Sequence, residues 1–146
     1  MIIYKRSQTE KELRQILDLQ KQNLPQNLTI EQANSQGFVT VNHDLPTLQK
    51  MNYLEQNIIA KEGDSVIGYL LAMRTELRDE IPVLVPMFDV FDNLEYINKK
   101  LGEYNYIVVG QVCVAEHYRG KGILDAMYSE YKKQLALKYD FAVTEI

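Results

Sequence analysis

The chain has 146 residues, 46% of them hydrophobic and 25% charged, and a net charge of −4. That is the length of one ordinary domain with a sizeable core, and the composition excludes a disordered or collagen-like chain. The acidic balance gives no general pull toward nucleic acid or an anionic membrane, so any anionic ligand must be held by local geometry.

Cys113 is the single cysteine, which rules out an internal disulfide and a cysteine-based metal site and suits a reducing compartment. The opening MIIYKRSQTEK lacks the apolar run of a signal peptide. No stretch approaches the ~18 apolar residues of a membrane span. We therefore expect a soluble, cytoplasmic protein forming a single domain over 1–146, with no nucleic acid, membrane or metal among its partners.

In chain order, Ile2–Arg6 reads as a short strand. Ser7 and Glu10 stand in capping-box spacing ahead of Leu13, Ile16, Leu17 and Leu24, which predicts a helix stopped by Pro25. Thr29 and Gln32 repeat that signature for a short helix ending at Gly37. Asp44 caps a third helix, with Pro46 in its first turn and Leu45, Leu48, Met51 and Leu54 facing inward.

The pattern then becomes extended. Asn57–Lys61 and Ser65–Met73 predict a hairpin around Gly63-Asp64. Arg74–Pro86, with two prolines, gives no single reading. Phe91, Leu94, Ile97 and Leu101 predict a helix over Asp89–Leu101, ended by Gly102. Tyr106–Val114 is a nearly continuous apolar run, as in a strand covered on both faces. Gly122–Lys138 reads as a helix with Leu124, Met127, Tyr128, Tyr131 and Leu135 along one side, and Phe141–Ile146 begins another strand. The last three elements form a βαβ unit, whose two strands should run parallel. Helices, a hairpin and then βαβ predict an α+β or mixed α/β sandwich.

The segment that carries chemistry joins the buried strand to the last helix. A helix N-terminus has unpaired N–H groups and partial positive charge, so it is a ready anion site. Gly120 and Gly122 let a phosphate approach that backbone, and Arg119 and Lys121 add positive charge. Together they suit a pyrophosphate. The segment has neither the GxxxxGK[ST] of a P-loop nor the GxGxxG of a dinucleotide fold.

Arg119-Gly120-Lys121-Gly122-Ile123 resembles the core of the Q/R-x-x-G-x-G/A motif of the GNAT N-acetyltransferase superfamily, and Val112 and Val114 precede it as that family's strand end. Val66–Ala72 resembles the family's third strand, and the helices before it match the family's order. The resemblance implies a mixed α+β fold: a twisted sheet flanked by helices, with a crossover from the fourth strand through the third helix to the fifth, the two strands splaying at a cleft. It implies acetyl-CoA as co-substrate and contacts to it from Val112, Cys113, Val114, Arg119, Gly120, Lys121, Gly122, Ile123 and Leu124. The pyrophosphate would lie on the backbone of Arg119–Leu124, the pantetheine beside Val112–Val114, and the Val114 N–H against the thioester carbonyl. The acceptor would be a small-molecule or peptide amine attacking directly.

Two departures qualify the pattern. Leu124 replaces the small residue that closes the motif, and the family's last helix, with its tyrosine general acid, and its last strands have no counterpart before Ile146. That leaves two readings: an N-acetyltransferase, or a truncated, catalytically impaired acyl-CoA-binding or interaction module. It also predicts that the strand from Phe141 offers its edge to a second copy, giving a homodimer.

The remaining chemistry-bearing residues favour bland roles. Cys113 should pack in the core, on the sheet face opposite Val112 and Val114. His117 reads as an exposed loop histidine. Tyr104, Tyr106, Tyr128, Tyr131 and Tyr139 read mainly as core aromatics with a wet hydroxyl, while Tyr118 is a candidate for cofactor contact. Gln111 stands where many members of that superfamily carry an acid and cannot act as a base. Glu76, Asp79 and Glu80 read as solvated surface charge. No residue is assigned as catalytic base.

Overall fold

A computed structural model describes residues 1–23 and 43–144. The helix predicted after Thr29, together with Leu24, Pro25 and Gly37, lies outside them.

The main sheet is built from β1 (Ile2–Arg6), β2 (Ile58–Glu62), β3 (Ser65–Arg74), β6 (Tyr106–Val114) and β7 (Phe141–Thr144), in the order β1-β2-β3-β6-β7. Every neighbouring pair is antiparallel except β6 and β7, which run parallel as the βαβ reading requires. One face packs against α1 (Glu10–Gln22), α2 (Leu45–Leu54) and α3 (Val85–Asn93) through Leu13, Ile16, Leu48, Met51, Phe88 and Phe91. The other packs against α4 (Ile123–Leu135) through Ile123, Met127, Tyr131 and Leu135. Apolar cover on both faces explains why β3 and the first half of β6 are nearly continuous hydrophobic runs.

The first helix starts later than its spacing suggested. Thr9, not Ser7, is the N-cap: its hydroxyl accepts from Glu12 N at 3.1 Å, and Glu12 reaches back to Thr9 N at 3.1 Å. Ser7 is still tied to the sheet, its N–H donating to Asn57 O at 2.8 Å and its hydroxyl to Asn52. The chain can turn into the helix only beyond that anchor. The Asp44 cap is as predicted, accepting from Thr47 N at 2.9 Å. So is the β2–β3 hairpin, where Gly63 supplies a φ of 59° at the turn.

The segment without a single reading forms two 3-10 turns, Thr75–Asp79 and Pro82–Leu84. The helix predicted over Asp89–Leu101 is instead α3, which begins at Val85 with Pro86 in its first turn and stops at Asn93. A small hairpin follows, β4 (Glu95–Tyr96) and β5 (Lys99–Lys100), turning through Ile97 and Asn98 with φ of 51° and 63°. Tertiary packing overrides the helical spacing here: the rings of Tyr96, Tyr104 and Phe141 meet edge to face, with centroids 4.8–6.4 Å apart. Tyr104 also donates its hydroxyl to Tyr96 O at 2.9 Å. Leu94 and Ile97, expected to face the core, are 46% and 73% exposed.

α4 is trimmed at both ends relative to Gly122–Lys138. It sits close to the sheet because β3 carries a glycine beneath it. A Cβ at Gly68 would lie 3.3 Å from the Cε of Met127, so the fully buried Met127 seats the helix directly on the strand.

Candidate acyl-CoA cleft

The candidate cleft runs along β6 on the side away from β3. Strands β6 and β7 pair in parallel from Tyr106 against Phe141 to Val109 against Thr144, the last described residue. On its other side β6 pairs with β3 as far as Val114. Ala115 N donates to Ile67 O at 2.8 Å, which fixes the alternation of the ladder. Cys113 therefore exchanges hydrogen bonds with Tyr69, while the N–H and C=O groups of Val112 and Val114 point away from β3, toward the open side. An extended ligand chain lying there would meet them as an added strand would.

A bulge interrupts the β3–β6 ladder. Leu70 pairs with Val112 and Ala72 with Val109, so Leu71 faces both Gly110 and Gln111. Both residues project to the α1 face. Gln111 Oε1 accepts from the Tyr69 hydroxyl at 3.3 Å, and a Cβ on Gly110 would stand only 2.4 Å from Met73 Sδ. The extra residue reverses the alternation after it, leaving Val112 and Val114 on the α4 face and Cys113 on the α1 face. The sequence showed that alternation but not the bulge. A glycine inside an apolar strand was the available signal.

From Val114 the chain passes a 3-10 turn, Glu116–Tyr118, and then the glycine loop into α4. Gly120 and Gly122 have φ of 76° and 80°. A Cβ on either would meet nothing within 4 Å, so backbone conformation, not crowding, requires glycine there. Gly122 is the N-cap of α4, accepting from Ala126 N at 3.1 Å, and no side chain caps the helix. The first N–H groups of α4, on Ile123, Leu124 and Asp125, have no partner within the helix. Ile123 is buried and fixes the helix to the core, whereas Leu124 is 42% exposed and does not intrude between helix and strand.

The charged residues of the motif do different things. Lys121 is exposed, its Nζ 5.5 Å from the centre of the Tyr118 ring. Tyr118 donates its hydroxyl to Glu62 at 2.8 Å. Arg119 turns inward: its Nε donates to Val114 O at 3.0 Å and a terminal nitrogen to Asn23 Oδ1 at 2.7 Å. Asn23 was not singled out in the sequence, because no local spacing links it to a loop 96 positions later.

Cys113 is 6% exposed, and burial pushes its thiol up to about 11, which the nearby Arg119 charge only partly offsets. It is a packing residue and not a thiolate. Burial likewise holds the Tyr69 phenol well above its usual range, so it remains a donor to Gln111. Tyr106 and Tyr139 are engaged elsewhere, donating to Asp92 at 2.6 Å and Glu55 at 2.7 Å. Glu76 and Glu80 are exposed and paired with Arg74 and Lys50. Arg74 pairs with Ile107, at the end of β6 remote from the glycine loop. His117 is exposed.

On the α4 face, beside β7, lies a mainly apolar cavity of about 530 Å³ lined by Val109, Tyr128, Tyr131, Leu135, Ala142 and Thr144 among others. Among the described residues, no helix is long and apolar enough to cross a membrane.

No protein-family model matches the chain, and no curated protein matches it in sequence. Solved structures do match in fold. A diaminobutyrate acetyltransferase from Paenibacillus lautus, in complex with its substrate L-2,4-diaminobutyric acid and coenzyme A, superposes with a TM-score of 0.59 at 18% identity, over 100% of this chain and 66% of that one. A GNAT family N-acetyltransferase from Escherichia coli, in complex with CoA, gives 0.58 at 13% identity, over 98% and 61%. An aminoglycoside acetyltransferase from an uncultured soil metagenomic sample, in complex with sisomicin, gives 0.57 at 13% identity, over 99% and 77%. The chain thus has the GNAT fold, and it spans less than two thirds of the length of the first two proteins.

Proposed function

We propose that the chain is an N-acetyltransferase that moves an acetyl group from acetyl-CoA to a primary amine. The observation that carries this reading is the continuity of two open features. On β6, Val112 and Val114 turn their N–H and C=O groups away from β3, and the same strand leads into a glycine loop and a helix N-terminus without a side-chain cap. An extended, phosphate-bearing thioester has both features to use: carbonyl and N–H groups for its arm, unpaired N–H groups for its pyrophosphate. The contact set on this reading is Val112, Cys113, Val114 and Arg119–Leu124, with Cys113 contributing only its backbone, since its side chain is in the core.

In the reaction the amine nitrogen forms a bond to the thioester carbonyl carbon, the carbon–sulfur bond breaks, and CoA leaves as the thiol once the amine has lost its proton. Holding the two reactants together and polarising the carbonyl, with the Val114 N–H as donor, would supply most of the acceleration. Neighbours of this fold bind L-2,4-diaminobutyric acid and sisomicin, both amines. Small polyfunctional amines are accordingly the first acceptors to try. The lone buried Cys113 suits a reducing, cytoplasmic setting.

Calorimetric titration with acetyl-CoA tests the binding half, with a dissociation constant of roughly 1 μM to 1 mM expected. Free-thiol release with a panel of amines tests turnover. Binding without release under any amine would favour the alternative, an acyl-CoA-binding module; no binding would remove the reading. The same strand that bounds the cleft carries the proposed homodimer contact. Phe141–Thr144 present both the outer edge of β7 and one wall of the apolar cavity, so a second copy paired there would cover both. Sedimentation of the chain beside Ala142→Lys, a charge placed on that wall, would show the dimer weakened or, if the two are equally monomeric, absent.

A further inference from the structure

We infer that Arg119 is a positioning residue, whose guanidinium clamps the glycine loop to β6 and to the C-terminal cap of α1 and does not meet the phosphate. Its consequence for cofactor binding rests on the acyl-CoA reading; the clamp itself rests on side-chain geometry.

Two partners of Arg119 are neutral oxygens of the protein. Nε donates to the Val114 carbonyl at 3.0 Å, one of the groups that β6 turns to its open side. A terminal nitrogen donates to Asn23 Oδ1 at 2.7 Å. Asn23 is the C-cap of α1 and is itself held, its Nδ2 donating to Leu19 O at 2.8 Å. The guanidinium therefore reaches from the loop that starts α4, past the end of β6, to a helix packed on the opposite face of the sheet. Gln111 and Cys113 project to that α1 face. One planar fork sets the loop relative to both faces.

Only arginine can make this arrangement. Its donors have fixed directions on one rigid plane, whereas a lysine ammonium is a single point on a flexible stem. Charge alone would not replace it. A clamp onto neutral oxygens also differs from a phosphate contact in its response to salt, because screening weakens charge–charge attraction and leaves geometry alone.

The experiment uses the whole chain and four variants: Arg119→Ala, Arg119→Lys, Asn23→Ala and Asn23→Asp. The first readout is amide hydrogen exchange without ligand. Exchange at the hydrogen-bonded amides that flank the loop, Tyr118, Arg119 and Ala126, should quicken in Arg119→Ala, Arg119→Lys and Asn23→Ala (at position 119 read against the intrinsic rate of the new residue), and keep its wild-type rate in Asn23→Asp, which retains an acceptor oxygen for the guanidinium. The second readout is CoA affinity by calorimetry at low and high salt. Both Arg119 variants should bind about tenfold more weakly at either salt concentration. Asn23→Ala should lose about threefold although it lies off the loop.

Affinity restored by Arg119→Lys, or a loss confined to low salt, would overturn the clamp and make Arg119 a phosphate contact. Unchanged exchange in Asn23→Ala would overturn the tie to α1. If the wild-type chain fails to bind CoA while the exchange pattern appears, the clamp stands and the acyl-CoA reading falls.

Discussion

The beginnings of α1 and α4 are opposite solutions to one problem. Every helix starts with N–H groups that its own turns cannot satisfy. At α1 the chain answers with its own side chains. Thr9 accepts from Glu12 N, and Glu12 Oε1 accepts from the N–H groups of Gln8 and Thr9 at 2.8 and 3.1 Å. The other Glu12 oxygen takes Lys5 at 2.6 Å and Lys61 at 3.1 Å, so an acid only 3% exposed is fully engaged. At α4 the N-cap is a left-handed glycine, no side chain caps the helix, and a lysine lies beside it in sequence. One terminus is finished by side chains of the protein; the other has no side-chain cap, and on the proposed reading a phosphate would finish it. The contrast teaches where to look for an anion site: at a helix start that the chain's own side chains leave uncapped.

The largest effect should come from breaking the closed end. Burial by itself would raise the Glu12 carboxyl, but the hydrogen bonds from Lys5, from the N–H groups of Gln8 and Thr9, and from Lys61 outweigh it and hold the group down at about 2. A depressed carboxylate contributes stability above the unfolded value near 4.5, and that contribution is lost as pH falls toward the folded value. Its size is on the order of 3 kcal/mol. Glu55, held low by Tyr139, Arg6 and Lys138 against its own burial, acts in the same direction. The test is therefore a difference: urea unfolding of the chain and of Glu12→Gln, from neutral pH down to about 2. The gap between them should be widest at neutral pH and close progressively below about 4.5. A constant gap would mean the carboxylate charge is not what stabilises the α1 start.

Opening the comparison from the other side, Gly122→Val should cost acyl-CoA affinity at least tenfold, equivalent to ~1.4 kcal/mol. Nothing in the chain stands within 4 Å of a Cβ there, so the side chain would project into the space the ligand needs, and the φ of 80° would strain it as well. Circular dichroism must show the fold retained. Gly63→Val, at another glycine with φ of 59° and open surroundings but away from the loop, supplies the control for strain alone. Equal affinity in folded Gly122→Val would detach the loop from the ligand.

How far these two ends were legible in the sequence differs for a physical reason. The glycine loop and its flanking strand and helix could be read because their signals are local: two glycines, a strand end and a helix start within a dozen residues. The α1 cap was misplaced by two residues because Ser7 and Thr9 both carry a hydroxyl, and only the long-range bond from Ser7 N to Asn57 O decides between them. The Asp89–Leu101 helix failed the same way. Its spacing was sound, but a packed trio of aromatic rings, one of them on β7, holds the chain in a hairpin. The bulge at Gly110–Gln111 and the partnership of Arg119 with Asn23 are likewise properties of the assembled sheet. Elements came from periodicity; the precise shape of the cleft came from contacts far apart in sequence.

The smallest effect tests the open end most sharply. Asp125 is exposed in the first turn of α4, where a carboxylate suits the positive end of the helix dipole. In the absence of a ligand it therefore contributes a little to helix stability, about 0.3–1 kcal/mol. A bound pyrophosphate would compete for the same field and would feel the carboxylate as a like charge. Asp125→Asn keeps the shape and removes the charge. It should slightly lower the thermal stability of the free chain and tighten CoA binding about twofold to threefold at low salt. At about 1 M salt, where screening acts over roughly 3 Å, the gain should vanish. The opposing signs matter, because a merely structural role for Asp125 would lower stability and affinity together. Weaker binding in Asp125→Asn, at any salt concentration, would mean that the anion does not sit at the start of α4.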